Sequence, residues 1–452
     1  MNKAKLPDLY NCSVGIIGLG YVGLPLIITI AKNNKCLLTQ KMVKRKIWGY
    51  DLDNNRIEQL KKGIDINGAI DDRNLLNINS IEFTSKKNNL TDIDVFIVCV
   101  PTPLDKNNDP DLSFIKDASK TVGNLINSTN TSNDNQIIIF ESTVYPGVTE
   151  DICVPIIKKF SNKNFNDPSY ENSFYCGYSP ERINPGDLEN TIDSIKKVTS
   201  GSNNLVANWI DSFYGSFIKA GTFKAKNIKV AEAAKIIENT QRDINIALVN
   251  EFAILFKKLN IDTVSVLKAA STKWNFHNYK PGLVGGHCIG IDPYYLTYKA
   301  REIGHKVELI SAGRKINDFM YKYLLEQIFL RVKNRKESFQ IEEVLILGVS
   351  YKENCSDIRN SQIILLIKEM VKLNMNITIF DPVVKSQNIF QDLGITSLKE
   401  MNIKKKYSII IIALSHKEFN SLSINEINKL SYPETIIFDL SNKYFASNIF
   451  HL

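Results

Sequence analysis

The feature that most constrains this fold is an apolar run that passes directly into closely spaced glycines near the N-terminus. The sequence Ser-Val-Gly-Ile-Ile leads into Gly18, Gly20 and Gly23, which have the G-x-G-x-x-G spacing, with Tyr21 and Val22 between the last two. Such a sequence predicts a buried strand, a tight turn and a helix whose N-terminus a pyrophosphate can approach. It therefore indicates an α/β domain that binds a dinucleotide.

A dinucleotide site of this kind also needs an acid after the second strand, where it binds the ribose hydroxyls. The apolar residues 47–50 lead to Asp51, which lies 28 residues beyond Gly23. About 20 residues is the usual separation. The additional residues fall in the polar, basic stretch 32–46, which predicts either a longer helix end or an additional surface loop. A carboxylate at Asp51 favours NAD over NADP, because it would repel a 2′-phosphate.

Two further apolar runs, residues 94–100 and 136–140, predict strands that end close to Thr102 and Thr143. Ligands of open α/β sheets lie at the carboxyl ends of the strands, so both threonines are expected at the cofactor. Alternatively, both are simply turn residues. Glu181 follows another strand-like run, and its carboxylate is either a helix cap or a proton carrier.

A long segment in the middle of the chain, residues 227–260, contains neither Gly nor Pro. It predicts one helix of roughly 50 Å, long enough to join two domains. Lys235 and Asn239 are one turn apart and share a face of this helix. That face is either solvated or, if it looks onto a ligand, able to stabilise an oxyanion.

A second α/β unit begins at residues 343–352 and repeats the strand–helix–strand pattern without a complete glycine fingerprint. It would therefore bind a nucleotide of different shape, or none. Lys352, Asp357 and Arg359 cluster in its first loop, where they could grip a diphosphate.

Residues 281–296 hold four glycines, two prolines and Cys288, with Asp292 four residues further on. Gly and Pro interrupt both helices and strands, so this segment predicts a loop that brings backbone amides close to a ligand. Cysteine is nucleophilic only as a thiolate, which requires partial exposure and stabilisation of negative charge. Alternatively, Cys288 is a buried structural thiol, as most free cysteines are.

Composition excludes several classes of protein. Seven cysteines are scattered without CxxC spacing, which argues against a disulfide framework or a metal site and suits a reducing cytoplasm. The net charge of +8 is spread over isolated cations, so nucleic-acid binding is not expected. No apolar run approaches the roughly 20 residues that span a bilayer, so membrane insertion is not expected either.

Taken together, these motifs resemble the UDP-sugar 6-dehydrogenase family, which comprises UDP-glucose and UDP-N-acetylhexosamine dehydrogenases. They appear in the family's order along nearly the whole chain: residues 18–25, 142–144 and 180–181, Lys235 with Asn239, and residues 285–292 and 351–354. The loop at residues 284–296 looks most like the branch that oxidises UDP-N-acetylglucosamine or UDP-N-acetylgalactosamine for surface polysaccharides, including the Vi-antigen type.

The resemblance implies an α/β fold with two Rossmann-like doubly wound domains, joined by a long central helix and a helical dimerisation domain. Residues 1–222 would bind NAD, residues 223–325 would carry the cysteine loop, and residues 326–452 would bind UDP. A cytoplasmic homodimer or higher homo-oligomer that takes a UDP-sugar is expected.

The resemblance also implies a mechanism in which C6 of the sugar is oxidised twice, from alcohol to aldehyde and then to acid. Cys288 would attack the aldehyde, and the thiohemiacetal would be oxidised to a thioester that water hydrolyses. Lys235 and Asn239 would stabilise the C6 oxygen, and Asp292 would hold the water or the lysine. Glu181 would relay the hydrolytic proton.

The same resemblance assigns two sets of binding residues. The NAD contacts would come from Gly18, Gly20, Tyr21, Val22, Gly23, Asp51, Arg56 (beside the adenosine ribose), Thr102, Thr143 and Arg359. The substrate contacts would come from Arg182, Phe276, Tyr279, Gly285 and Lys352.

A 2-acetamido sugar is expected to be preferred to glucose, because two segments differ from the glucose-type pattern. Glu181 is followed by Arg-Ile-Asn-Pro, and residues 274–280 supply three aromatics, a His and two Asn suited to an acetamido group. Alternatively, the second segment packs at a dimer interface. The alternative activity is that of a UDP-glucose or UDP-N-acetylmannosamine dehydrogenase. Two other classes of protein are disfavoured. A β-hydroxyacid dehydrogenase needs no thiol loop, whereas this chain has one. A non-catalytic NAD-sensing module would lose the Cys, Lys and Asn together, whereas all three are present here.

Overall fold

The structure, a computed structural model, contains two parallel β-sheets with helices between their strands. It describes residues 5–68, 70, 75, 80–128, 135–167, 173–183, 191–286, 288–333, 343–401, 405–446 and 449–452. Residues 184, 185 and 287, which belong to motifs quoted above, lie outside the described residues.

Seven strands of the described residues form the first sheet, and they pair in parallel throughout. They are β1 (Ser13–Ile17), β2 (Lys46–Tyr50), β3 (Ile81–Thr84), β4 (Val95–Val98), β5 (Gln136–Phe140), β6 (Asn164–Phe165) and β7 (Ser173–Tyr178). Their order is β3-β2-β1-β4-β5-β7-β6, so the strand order reverses between β1 and β4. Such a reversal opens a crevice at the carboxyl ends of the strands, where dinucleotides bind.

The second sheet has the same doubly wound character. A small parallel pair precedes it, β8 (Lys197–Thr199) and β9 (Thr222–Lys224). The sheet itself consists of β10 (Val344–Leu347), β11 (Ile377–Phe380), β12 (Tyr407–Ile412), β13 (Ser431–Asp439) and β14 (Ile449–Phe450). Its parallel strands have the order β11-β10-β12-β13-β14, which reverses between β10 and β12. The predicted α/β fold with two Rossmann-like domains is confirmed.

Twelve α-helices lie within the described ranges. They are α1 (Gly23–Lys32), α2 (Asn54–Lys61), α3 (Ser113–Ser128), α4 (Val154–Ser161), α5 (Asn204–Gly215), α6 (Ile228–Lys258), α7 (Thr263–Ala270), α8 (Asp292–Glu302), α9 (Glu308–Lys333), α10 (Gln362–Lys372), α11 (Ser386–Leu393) and α12 (Ile424–Lys429). A π-helical segment, Val148–Cys153, precedes α4. Helix α6 has 31 residues, which agrees with the long helix expected from the segment without Gly or Pro.

The chain divides into two compact units. The first contains residues 1–238 and 294–303, and the second contains residues 239–293 and 304–452. In each unit the central strands (β1, β4 and β5 in the first, β10 and β12 in the second) are buried along their whole length, because central parallel strands are covered on both faces. The three domain boundaries expected from the sequence stay a prediction.

The additional residues between α1 and β2 form a loop, since α1 ends at Lys32. The N–H of Cys36 donates to the carbonyl of Lys41 at 2.8 Å, and the N–H of Val43 donates to Asn34 at 2.8 Å. The loop leaves β1 and β2 in direct register from Ser13 onward. Asp51 therefore follows β2 directly, despite its late position in the sequence.

Candidate functional site

The glycine turn between β1 and α1 is shaped for close approach of a ligand. Gly18 has a φ of 93°, and a Cβ there would lie 2.8 Å from the carbonyl oxygen of Cys99. A Cβ at Gly23 would lie 1.9 Å from the Gly18 oxygen, so α1 can approach β1 only with glycine there. A Cβ at Gly20, in contrast, would meet no described atom within 4 Å. Packing of the described residues therefore does not require Gly20, and the open space beside it fits a pyrophosphate.

Asp51 lies beside this turn. One carboxylate oxygen accepts a hydrogen bond of 2.8 Å from the N–H of Leu19, and the other accepts one of 3.0 Å from the N–H of Asp53. Tyr21 and Val22 are half-buried in the turn, and Val22 immediately precedes α1. The acid thus lies where the ribose of a dinucleotide is expected in this fold.

Arg56 is held behind the glycine turn. Its Nε donates to the carbonyl of Leu19 at 3.1 Å, and its Nη1 pairs with Oδ1 of Asp65 at 2.7 Å. Both side chains of this ion pair are buried. Arg56 therefore supports the turn from within the protein, and its expected place beside an adenosine ribose stays a prediction.

The two threonines lie at the carboxyl edge of the first sheet and are bonded to each other. The hydroxyl of Thr102 donates to the carbonyl of Thr143 at 2.7 Å, and the hydroxyl of Tyr295 donates to the carbonyl of Thr102. Ser142 fastens the same edge, since its hydroxyl donates to Val100 at 2.7 Å. Both threonine side chains remain half-buried at the crevice where the cofactor is expected.

Glu181 and Lys235 form a buried pair in the first unit, with 3.6 Å between Oε2 and Nζ. Burial raises the pKa of Glu181, while the nearby ammonium groups of Lys235 and Lys197 oppose that shift. Lys197 is itself bonded to Glu141 at 2.7 Å. A buried carboxyl group with a raised pKa is a candidate for proton transfer.

Arg182 points from the same segment towards α6. Its Nη2 pairs with Oε1 of Glu238 at 2.8 Å, and its Nη1 donates to the carbonyl of Lys196 at 2.7 Å. These contacts hold the guanidinium in place, and its expected contact with substrate stays a prediction.

Cys288 lies in a turn just before α8. The loop expected over residues 281–296 ends earlier than predicted, since α8 begins at Asp292 and Pro293 is tolerated in its first turn. The N–H groups of Ile291 and Asp292 donate to its carbonyl at 3.1 and 2.9 Å. Asp292 is buried, and its carboxylate accepts a hydrogen bond of 2.6 Å from the side-chain amide of Asn239. All seven cysteines fall in the described ranges, and Cys288 alone among them is not buried. This exposure disfavours the alternative of a buried structural thiol.

The glycine pair before Cys288 is required by close packing against the second sheet. A Cβ at Gly286, which has a φ of 83°, would lie 2.5 Å from Cδ2 of Tyr351. A Cβ at Gly285 would lie 2.6 Å from the carbonyl oxygen of Asn360. Burial raises the pKa of Tyr351, and the neighbouring thiols of Cys355 and Cys288 add to that effect. Tyr351 therefore forms a rigid, neutral support for the loop.

A buried polar network that the sequence motifs do not indicate holds this loop. The amide of Asn250 donates to the carbonyl of Gly282 at 3.0 Å and accepts from its N–H at 2.8 Å. The same amide donates to Asn317 at 2.9 Å. Gln362 donates to the carbonyl oxygens of Val284 and Asn317 at 2.9 and 2.8 Å. The backbone of residues 282–284 is therefore fixed to α6, α9 and α10.

The network continues to a buried ion pair between α6 and α9. Arg314 pairs with Asp243 at 2.6 Å, and Asn317 donates to the same carboxylate at 2.7 Å. A signal for these residues exists in the sequence, because α6 carries an inner stripe of polar side chains three, four or seven positions apart. The inner stripe consists of Glu232, Lys235, Asn239, Asp243 and Asn250.

Helix α6 differs from an ordinary surface helix in the burial of two stripes of side chains. Four members of the inner stripe are buried, and the fifth, Asn239, bonds Asp292. Large apolar side chains of the same helix are exposed instead. This apolar stripe consists of Ile237, Leu248, Phe252 and Leu255.

The remaining predicted substrate and cofactor residues lie in the second unit. Phe276 and Tyr279 are half-buried, whereas Trp274 between them and α7 is 93% exposed. Lys352 lies over the ring of Tyr351 at 5.5 Å, and Arg359 forms a two-pronged ion pair with Asp357 at 2.9 and 2.7 Å. The binding roles expected for these residues stay predictions.

Comparison with known proteins decides the family. Profiles of the UDP-glucose/GDP-mannose dehydrogenase family match in the expected order: the NAD binding domain at residues 12–218, the central domain at 229–319 and the UDP binding domain at 345–446. The chain belongs to the UDP-glucose/GDP-mannose dehydrogenase family. As a member of this family it is an NAD-dependent oxidoreductase, and the predicted NAD cofactor and UDP-linked substrate are confirmed.

Individual members of the dehydrogenase family match over nearly the whole chain. A UDP-N-acetyl-D-glucosamine 6-dehydrogenase of Pseudomonas aeruginosa is 45% identical, with 95% of this chain and 96% of that protein covered. One of Salmonella typhi is 44% identical, with 94% and 95% covered. The solved structure of a UDP-D-ManNAc dehydrogenase from Pyrococcus horikoshii has a TM-score of 0.81 at 27% identity, with 97% and 98% covered.

No helix in the described ranges combines sufficient length with sufficient apolar character to cross a bilayer.

Proposed function

We propose that this dehydrogenase oxidises C6 of a UDP-N-acetylhexosamine, UDP-N-acetylglucosamine or its galactose epimer, to the uronic acid for surface polysaccharide synthesis. The observation that carries the proposal is the half-exposed thiol of Cys288, in a turn closed by Asp292. Oxidation of an alcohol to a carbonyl needs no thiol, whereas oxidation onward to an acid uses one to form a thioester. The choice of sugar is supported by the 45% and 44% identical relatives.

The first oxidation uses groups on α6. NAD, when bound, accepts a hydride in each of the two oxidations. The C6 hydroxyl would release its proton to water as the hydride leaves. Lys235 and Asn239, one turn apart on α6, would donate to the C6 oxygen and stabilise the negative charge that develops there. The thiolate of Cys288 would then add to the aldehyde carbon, forming a thiohemiacetal whose oxidation leaves a thioester.

Hydrolysis completes the reaction. Water would attack the thioester carbonyl and give up a proton, which Glu181 would carry away. The carbon–sulfur bond would break, releasing the uronic acid and restoring the Cys288 thiol. The raised pKa of Glu181 suits this role, because burial makes its carboxylate more basic than an exposed one.

The stoichiometry of NADH tests the thioester mechanism. We expect two NADH for each UDP-N-acetylglucosamine consumed, measured by absorbance, with no aldehyde trapped by a hydrazine reagent. One NADH per sugar, with free aldehyde in solution, would contradict the mechanism.

A panel of UDP-sugars tests the choice of substrate. The kcat/KM for UDP-N-acetylglucosamine or UDP-N-acetylgalactosamine should exceed that for UDP-glucose at least ~100-fold, since a site built for a polar substituent rejects analogues that lack it. Similar values would assign the protein to UDP-glucose oxidation, and a preference for UDP-N-acetylmannosamine would assign it to that branch.

We also propose that the enzyme acts as a cytoplasmic homodimer. The exposed apolar stripe of α6 supports a second copy as its cover, because a monomeric protein seldom exposes large apolar side chains in a row. All seven cysteines lie in the described ranges and none forms a disulfide bond, which suits a reducing compartment. Light scattering should give twice the chain mass, and Leu248→Glu with Phe252→Glu should halve it. Leu205→Glu, an exposed leucine on α5, is the control.

A further inference from the structure

Glu232 is a fully buried carboxylate on α6 for which the proposed mechanism has no use. Its Oε2 accepts a hydrogen bond of 2.6 Å from the N–H of Gly147, and its Oε1 accepts one of 3.0 Å from the N–H of Thr149. Gly147, with a φ of 106°, immediately precedes the π-helical segment Val148–Cys153. The first N–H groups of a helical segment lack partners within it, and Glu232 supplies partners for two of them.

The segment held by Glu232 continues directly from the carboxyl edge of β4 and β5, where the cofactor is expected. This edge is called the cofactor edge below. At its beginning Glu141 is bonded to Lys197, and the carbonyl of Thr143 accepts from Thr102. Glu232 therefore fastens the far end of a stretch whose near end is fixed at the carboxyl edge of β4 and β5. A π-helical turn is a rare conformation that recurs at functional sites, which is consistent with a stretch under a positional constraint.

Glu232 also lies three residues before Lys235 on the same face of α6. Three residues correspond to about 4.5 Å along a helix axis. A contact that fixes Glu232 against residues 147–149 therefore also fixes how far Lys235 reaches along the first unit towards Glu181 and the cofactor edge.

We propose that Glu232 is a positioning residue that sets the location of Lys235 relative to the cofactor edge. The proposal rests on the proposed role of Lys235 at the C6 oxygen. Misplacing a catalytic group by about 1 Å can cost around 100-fold in rate, so a small shift of α6 would be visible in kcat.

The charges around Glu232 make this contact sensitive to pH. Burial raises its pKa to about 7, the two backbone donors oppose the shift, and Glu150 adds to it. Cys153 of the π-helical segment also faces it, and Lys229 on the preceding turn of α6 is paired with Asp151 at 3.3 Å. Protonation of Glu232 removes the negative charge to which both N–H groups donate, and thereby weakens the contact.

The test uses the full-length enzyme with Glu232→Gln, which keeps the shape and removes the charge. The matched control is Asp151→Asn, which removes an exposed acid from the same π-helical segment. Values of kcat and KM for NAD and UDP-N-acetylglucosamine are measured from pH 5.5 to 9. Wild-type kcat should rise through pH ~7. Glu232→Gln should abolish this rise and lower kcat at pH 8 about tenfold or more, with KM for the sugar within about twofold.

Two results would overturn the proposal. The first is a Glu232→Gln enzyme with the wild-type kcat and pH profile. The second is a loss of kcat that has a structural cause. Such a cause would be indicated if the near-UV circular dichroism signal were lost as well, or if Asp151→Asn lost kcat to the same extent. Failure of the wild type to oxidise UDP-N-acetylglucosamine would instead contradict the proposed function, and the comparison would be repeated with the UDP-sugar that is oxidised.

Discussion

The side-chain amide of Asn239 donates a hydrogen bond of 2.6 Å to the buried carboxylate of Asp292. Asp292 begins α8, and its own N–H donates to the carbonyl of Cys288 at 2.9 Å. One acid thus orients an amide on α6 and closes the turn that carries the thiol. This linkage predicts that the acid matters for turnover although it need not touch the reacting carbon.

Asp292→Asn should lower kcat about 100-fold, because the amide of Asn239 loses its charged acceptor and its orientation, and loss of one oxyanion donor has an effect of this size. Steady-state rates measure the effect, and calorimetry should give an unchanged Kd for NAD. Asp262→Asn is the control, since Asn can cap α7 as Asp262 does. A kcat within about threefold of wild type would separate Asp292 from the chemistry.

Cys288→Ser should abolish turnover while NAD and UDP-sugar still bind, because serine has a similar volume but forms no readily hydrolysed thioester. Rates and binding are measured on the same preparation, with the buried Cys12→Ser as control. Retention of more than about a tenth of the wild-type kcat, a deficit under ~1.4 kcal/mol, would return Cys288 to a structural role.

Asp51→Asn should weaken NAD binding about tenfold and reduce the preference for NAD over NADP, because it replaces one of the two acceptor oxygens for the ribose hydroxyls by an NH2 group and removes the charge that repels a 2′-phosphate. Fluorescence titration with both cofactors provides the measurement. Asp53→Asn, two residues away, should change little, since Asn caps α2 as well as Asp does. If Asp51→Asn leaves NAD affinity unchanged, the ribose acid lies elsewhere.

Asn250→Ala should lower the free energy of unfolding by about 3 kcal/mol, since it leaves both the N–H and the carbonyl of Gly282 without their side-chain partner. Urea denaturation measures the change. Asn245→Ala on the same helix is the control, because the Asn245 amide bonds a carbonyl of its own helix. An equal loss of unfolding free energy in the two variants would contradict a special role of the Asn250–Gly282 hydrogen bonds in holding the loop.

Glu232 should make the stability of the fold depend on pH. Its pKa rises from 4.5 to about 7 on folding, so between these pH values the folded state holds a proton that the unfolded chain has released. Rising pH therefore lowers the free energy of unfolding through this window, by up to about 3 kcal/mol. Glu232→Gln lacks this contribution, and its stability relative to wild type should rise from pH 5 to pH 7. A constant difference across urea titrations at pH 5, 6, 7 and 8 would refute the assignment.

The parts of the fold that the sequence predicted depend on local physics. A parallel strand buried on both faces is a continuous apolar run, as in β1, β5 and β12, and the turn at Gly18 needs a positive φ. The thiol loop was also predicted correctly over residues 281–291, because its glycines interrupt helices and strands. The prediction was wrong for residues 292–296, which belong to α8, because a proline in the first turn of a helix is tolerated.

The parts that were missed depend on distant partners. Asn250, Asn317 and Gln362 come from three separate helices, and nothing in their immediate neighbours indicates that they meet the loop backbone. Helix α6 also departs from the usual rule, since it buries the polar side chains of its inner stripe and exposes the large apolar side chains of its apolar stripe. Polar spacing of three, four and seven positions is the signal available in the sequence, and it predicts a role only for Lys235 and Asn239.

The loop between α1 and β2 has a practical consequence for handling this enzyme. Its base is anchored, since Leu37 donates to Ser216 at 2.9 Å and the guanidinium of Arg45 lies 4.5 Å from the ring of Phe213. Its tip at Gln40, with a φ of 62°, is exposed. Because the register of β1 and β2 is set below this tip, an affinity tag or a fluorescent label inserted there would leave the nucleotide crevice and both chain ends untouched.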